Sequence, residues 1–180
     1  DGRTALADGT SKWITGEQAR ADVQRLRARS SAIVTGSGTV VADDPMLTVR
    51  DPDYDMRGRR PLRVVLDSAL STPPDAQLLS FAGSTLLFTR DASSPLARPL
   101  RHAGAMIEEI RPSPEGLDLA AVLDRLGELE CNEVLVEAGP TLAGDFVRRG
   151  LVDEIVVYMA PVVLGDAARS LFNLPTLERM

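Results

Sequence analysis

The chain has 180 residues and a net charge of −6, with a pI of about 4.9. A chain of this length matches one ordinary domain and buries roughly 70% of its unfolded surface. Its acidity argues against a dedicated nucleic-acid binder, whose footprint is basic, and against a polybasic membrane-surface protein. A small anionic ligand stays open, because a pocket can be locally positive on an acidic protein. Aromatic residues make up only 4%, so aliphatic side chains must build the core. One cysteine, Cys131, and one histidine, His102, leave no disulfide framework and no Cys/His metal site. That usage is compatible with a reducing compartment. No apolar run reaches the roughly 18 residues of a membrane span, and Asp1-Gly2-Arg3-Thr4 shows no signal-peptide core.

In chain order, the first clear element is a helix over Glu17–Arg29. Ala19, Val23 and Leu26 fall on one face, and Thr15 with Gln18 has capping-box spacing. Ala32–Thr35 reads as a buried strand. Further strands read at Arg63–Asp67, Thr85–Thr89, Met106–Ile110, Glu133–Glu137 and Glu154–Ala160. Leu119, Val122, Leu123 and Leu126 mark a second helix. A third runs from Pro140 to about Arg149, with proline inside its start and Gly150 past its end. Asp51–Arg60 and Ser71–Asp75 are surface turns. Alternating strands and helices imply an α/β domain with a largely parallel sheet.

Several segments can carry chemistry. Gly139-Pro140-Thr141-Leu142-Ala143-Gly144-Asp145 follows a strand and opens a helix. Such a turn offers unpaired backbone N–H groups and a positive dipole end to an anion. It also reads as an ordinary strand-to-helix turn, and Asp145 where Walker A has lysine excludes that loop. Gly36-Ser37-Gly38 has G-x-G spacing, but Val41 replaces the third glycine and no helix is expected to follow, so the dinucleotide fingerprint is weak. Asp43-Asp44-Pro45, followed by Arg50, is either a ligand-orienting loop or a solvated turn with a surface salt bridge. Trp13 is either a hydrophobic staple or a flat wall for a ring. Among Arg20, Arg25, Arg27 and Arg29, most read as solvated charges, and one aimed at a phosphate would look no different. His102 and Cys131 read as structural or exposed.

Together these segments resemble the reductase domain of riboflavin-biosynthesis pyrimidine deaminase/reductases. The resemblance is carried by Asp1-Gly2-Arg3-Thr4-Ala5, Ser11-Lys12-Trp13-Ile14-Thr15, the block from Gly36 through Thr39, Asp43-Asp44-Pro45, Leu47 and Arg50, the block Leu135–Leu142, and Gly150–Glu154. It covers essentially the whole chain. It implies an α/β, dihydrofolate-reductase-like three-layer domain with a central, mostly parallel mixed sheet and flanking helices. It implies NADPH-dependent reduction of the ribosyl group of 5-amino-6-(5-phosphoribosylamino)uracil by hydride transfer to ribose C1′. Carried over residue by residue, Ser11, Arg27, Leu47, Arg50 and Glu137 contact substrate. Trp13, Thr39, Asp43, Ser68 and the turn Gly139, Pro140, Thr141, Leu142, Ala143, Gly144 and Asp145 contact the cofactor. Asp43 and Glu137 are the candidate proton donors, with bound water an equal alternative; no metal is implied.

The expectation is one reductase domain over 1–180, lacking its first strand, open to lacking strands at its C-terminal end as well, and carrying no deaminase. A cytoplasmic homodimer acting on a small phosphorylated aminouracil, with no nucleic-acid or membrane partner, completes it. Two alternatives remain open: a reductase of the same fold acting on another pterin- or pyrimidine-like substrate, or a non-catalytic nucleotide-binding module.

Overall fold

A computed structural model describes residues 1–114 and 116–175. The elements in order are β1 (Arg3–Ala5), α1 (Glu17–Arg29), β2 (Ala32–Gly36), α2 (Ser37–Asp43), β3 (Leu62–Leu66), α3 (Gln77–Ser80), β4 (Thr85–Thr89), α4 (Ala97–His102), β5 (Ala105–Glu109), β6 (Pro112–Ser113), β7 (Gly116–Leu117), α5 (Leu119–Glu128), β8 (Val134–Val136), α6 (Pro140–Arg148) and β9 (Arg169–Ser170). Contacts divide the chain into two compact units, Gln24–Glu137 and Asp1–Val23 with Ala138–Met180.

The Gln24–Glu137 unit holds a five-stranded parallel sheet in the order β5-β4-β3-β2-β8. Parallel strands buried on both faces need continuous aliphatic runs rather than alternation. Ile33-Val34, Val64-Val65 and Leu86-Leu87-Phe88 supply them, all fully buried. Register aligns Thr35, Val65, Leu87 and Ile107 in one row and Val34, Val64, Leu86 and Met106 in the next. Adjacent rows face opposite sides of a sheet. The first row meets Val40 of α2, Leu78 of α3 and Ala97 and Leu100 of α4 in one apolar cluster. On the second side Glu108 of β5 binds Arg125 of α5 through two hydrogen bonds of 2.7 and 3.0 Å. Helices on both faces of a parallel sheet make three layers. The antiparallel pairs among the described residues lie in two small ladders, β1 with β9 and β6 with β7.

Local chemistry explains the helix ends. The Asp118 carboxylate accepts the N–H groups of Ala120 and Ala121 at the start of α5. Pro140 stands in the first turn of α6. Its end is a Schellman motif: Leu151 N–H donates to Phe146 O, Gly150 N–H donates to Val147 O, and Gly150 has φ +66°.

Three expectations are corrected. The cap of α1 is Gly16, whose carbonyl accepts the Arg20 N–H, while the Thr15 carbonyl accepts from the Arg20 guanidinium. A helix does follow Gly36: α2 is short, buries Val40, and closes on Asp44 in the left-handed conformation, whose N–H donates to Val40 O. The β-branched pair Val40-Val41 disguises it, because propensity yields to tertiary burial. Glu154–Ala160 forms no strand among the described residues. Ile155, Val156 and Val157 are 52, 43 and 48% exposed, and a strand exists only where a neighbour accepts its ladder.

Candidate active site

In the Gln24–Glu137 unit, several expected residues gather where strands end. Gly36 ends β2, Ser68 lies two residues past β3, and Glu137 directly follows β8, its N–H donating to Val34 O. Ligands of open parallel sheets bind outside the carboxyl ends of the strands. Arg27, on the last turn of α1, is 8% exposed. Its Nε and Nη2 donate to the two carboxylate oxygens of Glu137, both at 2.6 Å, and its Nη1 donates to Thr48 O at 3.0 Å. This two-pronged geometry suits a guanidinium and no other side chain. The sequence reading has both residues contacting substrate; the structure also binds them to each other. Three Arg27 donors are committed within the chain, and two of them hold the Glu137 carboxylate in place.

The loop after α2 is fastened to α1 at two points. Besides Thr48 O on Arg27, the Arg50 N–H donates to Gln24 Oε1 at 2.8 Å. Leu47 is 3% exposed at φ +47°, a conformation costly for a branched side chain and kept only where surroundings impose it. The Arg50 side chain is exposed and makes no ion pair among the described residues. Of the adjacent carboxylates, Asp44 serves the fold: its Oδ1 accepts the Gln77 N–H, and its backbone O and Oδ2 accept from Gln77 Nε2. Asp43 is exposed at the end of α2, and Thr39 is half-buried on the same helix. Sequence reasoning missed that Asp67, fully buried, accepts from the Ser71 N–H, the Ser71 hydroxyl and the Thr72 N–H. It thereby shapes the turn carrying Ser68.

In the other unit, Ser11 is half-buried and its carbonyl accepts the Ile14 N–H. Trp13 is 74% exposed, with the Arg20 guanidinium 4.6 Å from the ring centroid. It is no buried staple; one ring face is covered by a cation. The turn into α6 keeps its donors open. Gly139 is an extended N-cap without a side-chain cap, Pro140 has no N–H, and the N–H groups of Thr141 and Leu142 have no partner among the described residues. This donor set and the positive helix end fit a phosphate of a nucleotide cofactor. Gly144 has a different reason to be glycine: a Cβ there would lie 2.4 Å from Asn173 O. Asn173 also donates its N–H to Pro140 O and its side-chain amide to Thr141 Oγ1. Asp145 pairs with Arg148 and Arg149. Ala143 N–H closes the first helical bond to Gly139 O.

His102 ends α4, and burial pushes the half-buried Cys131 thiol up. Among the described residues no group of three or more His, Cys, Asp or Glu is placed to hold a metal. No helix among them is long and apolar enough to cross a membrane.

These features define an α/β domain of the dihydrofolate-reductase-like type. Residues 1–179 match the family model described as the RibD C-terminal domain. The chain is 44% identical over 189 aligned positions to the riboflavin biosynthesis protein RibD of Escherichia coli, covering all of this chain and 50% of that one. Acinetobacter baumannii RibD superposes with a TM-score of 0.85 at 38% identity, covering all of this chain and 48% of that one. A Thermotoga maritima diaminohydroxyphosphoribosylaminopyrimidine deaminase/5-amino-6-(5-phosphoribosylamino)uracil reductase superposes with a TM-score of 0.63 at 29% identity, covering 83% of this chain and 39% of that one. The chain belongs to the RibD C-terminal domain family. It spans about half the length of the relatives it matches.

Proposed function

We propose that residues 1–180 serve as one reductase domain that uses NADPH to reduce the ribosyl group of 5-amino-6-(5-phosphoribosylamino)uracil to a ribityl chain. The observation that carries this reading is the uncapped first turn of α6, with two backbone N–H groups free for a cofactor phosphate. Family membership and the name of the Thermotoga relative support the substrate. NADPH would supply the hydride that reduces ribose C1′. The protein's part is positioning, which hydride transfer needs more than a strong nucleophile.

In this reading Gly139, Pro140, Thr141, Leu142 and Ala143 receive the cofactor phosphate, while Gly144 and Asp145 hold the turn in shape. Trp13, Thr39, Asp43 and Ser68 bound the rest of the cofactor. Ser68, whose carbonyl accepts the Arg90 N–H at 3.4 Å, stands with Arg90 where a 2′-phosphate would favour NADPH over NADH. Arg50, whose guanidinium is uncommitted, takes the substrate 5-phosphate. Glu137, fixed by Arg27, accepts hydrogen bonds from substrate hydroxyl or amine groups, and Ser11 and Leu47 complete the substrate contacts. Asp43 and Glu137 are the candidate proton donors, with bound water an equal alternative. The protein works as a homodimer in the cytoplasm.

The test is to mix the purified protein with NADPH and the aminouracil substrate and follow NADPH absorbance. Consumption is expected. Arg50→Ala should raise KM for the phosphorylated substrate by about tenfold or more, the scale of one charged hydrogen bond, with kcat little changed. NADPH binding without consumption would leave a nucleotide-binding module instead.

A further inference from the structure

Two side chains of α1 take hold of the loop after α2 at alternate residues. Arg27 Nη1 donates to Thr48 O at 3.0 Å, and Gln24 Oε1 accepts the Arg50 N–H at 2.8 Å. Gln24 and Arg27 are three positions apart, the spacing of neighbours on one helix face. Three residues of helix rise about 4.5 Å. That short step separates the residue that holds Glu137 from the residue that holds Arg50.

The two contacts differ in what they leave over. Arg27 spends its donors on Glu137 and Thr48. Gln24 spends only its acceptor. A carboxamide has one oxygen that accepts and one NH2 group that donates, and half a turn of the group exchanges them. Chemistry settles the exchange here: the Arg50 backbone offers a hydrogen, so the oxygen must face it. Nε2 is thereby turned away from that N–H, and it has no hydrogen bond among the described residues. Gln24 is half-buried. The Arg50 side chain is exposed, and its guanidinium also makes no hydrogen bond or ion pair among the described residues. Two donor groups on side chains joined by one hydrogen bond thus stand without an acceptor.

Fastening the loop does not require a carboxamide. Any acceptor would receive the Arg50 N–H, and a carboxylate would do so more strongly. A carboxylate would also set a negative charge beside Arg50. Glutamine fastens the loop with one atom and presents donors with another, at no cost in charge.

We propose that Gln24 is a further substrate-binding residue, whose Nε2 donates to the 5-phosphate of the aminouracil substrate together with the Arg50 guanidinium. This rests on the reading that Arg50 receives that phosphate. It adds a neutral donor to the arginine, and a phosphate ester has three acceptor oxygens to share between them.

The test is calorimetric titration of the full chain, without NADPH, with 5-amino-6-(5-phosphoribosylamino)uracil and with its dephosphorylated form. Wild type, Arg50→Ala, Gln24→Met and Gln24→Glu are compared. Gln24→Met keeps the length of the side chain and removes the amide. It should weaken binding of the phosphorylated form by about tenfold, the scale of one hydrogen bond to a charged group, and leave the dephosphorylated form as in wild type. Equal losses for both forms would mark a general disturbance of the loop and overturn the proposal. Gln24→Glu keeps an acceptor for the Arg50 N–H, so the loop stays fastened, but it replaces the donors by a negative charge. It should weaken phosphate binding more than Gln24→Met does. Near-wild-type binding in Gln24→Glu would mean that only the acceptor matters, and the proposal falls.

Arg50→Ala decides on the reading beneath. If it leaves binding of the phosphorylated form unchanged, or if wild type binds neither form, both readings fail. If it weakens binding while Gln24→Met does not, the role of Gln24 alone fails. In turnover, Gln24→Met should raise KM for the phosphorylated substrate and leave kcat and the KM for NADPH near wild type. If wild type binds the substrate yet oxidises no NADPH, the reductase reading fails while the titration still decides on Gln24.

Discussion

Two segments of near-identical composition behave oppositely. Ile33-Val34-Thr35 lies in β2 with all three side chains fully buried. Ile155-Val156-Val157 forms no ladder among the described residues and is about half exposed. The first segment sits between β3 and β8, so each strand residue finds a neighbour on both sides. β-Propensity is thus the ability to fit a pleated, covered surface, and it specifies nothing without one.

The contrast is open to breaking at graded cost. Leu86→Ala in fully buried β4 should lose about 2–5 kcal/mol in urea unfolding, the range for cavity-forming truncations. Next comes Glu137→Ala, which leaves Arg27 largely buried without its carboxylate. We expect a loss of about 2–3 kcal/mol, below the full range for breaking a buried pair because the Glu137 side chain keeps 24% exposure. Should Arg27→Ala together with Glu137→Ala cost no more than the single change, the pair acts as a unit. In the other region Gly144→Ala should cost about 1–3 kcal/mol by overpacking against the Asn173 backbone. Val157→Ala should stay within about 0.5 kcal/mol. A cost matching Leu86→Ala would mean that the 155–157 segment is packed in solution, and the contrast would collapse.

The smallest effect is pH-dependent. Hydrogen bonds from Arg125 hold the Glu108 carboxyl below its ordinary 4.5, against an opposing contribution from burial. A carboxyl depressed on folding stabilises the protein above its unfolded value, and that contribution disappears as pH falls through the lower folded value. Wild type should therefore melt slightly above Glu108→Gln at neutral pH, and the two should converge in acid. The gap should be small, since partly solvated ion pairs contribute little.

The sheet strands and the long helices were legible because they depend on local runs and short periods. Thr85–Thr89 could be read directly, and the Pro140–Gly150 signals marked both ends of α6. Elsewhere the determining contact lay far away in sequence. Arg27 and Glu137 are separated by 110 positions, and no pattern within α1 distinguishes Arg27 from Arg25. The adjacent pair Asp43-Asp44 was visible as a polar turn, but Gln77 decides that Asp44 belongs to the fold. Gly144 was visible only as part of the turn into α6, and Asn173, distant in sequence, is what requires it to be glycine.

The contact of Gly144 with Asn173 has a further consequence, in how perturbations travel. Asn173 touches residues 140, 141 and 144 at once, so it ties the helix's second turn to its anion-receiving first turn. A methyl group added at 144 would displace Asn173 and release the Thr141 hydroxyl. Changes at 141 and 144 should therefore be non-additive, as expected for sites with a shared neighbour. A side chain that never meets the ligand would still alter how the first turn receives it.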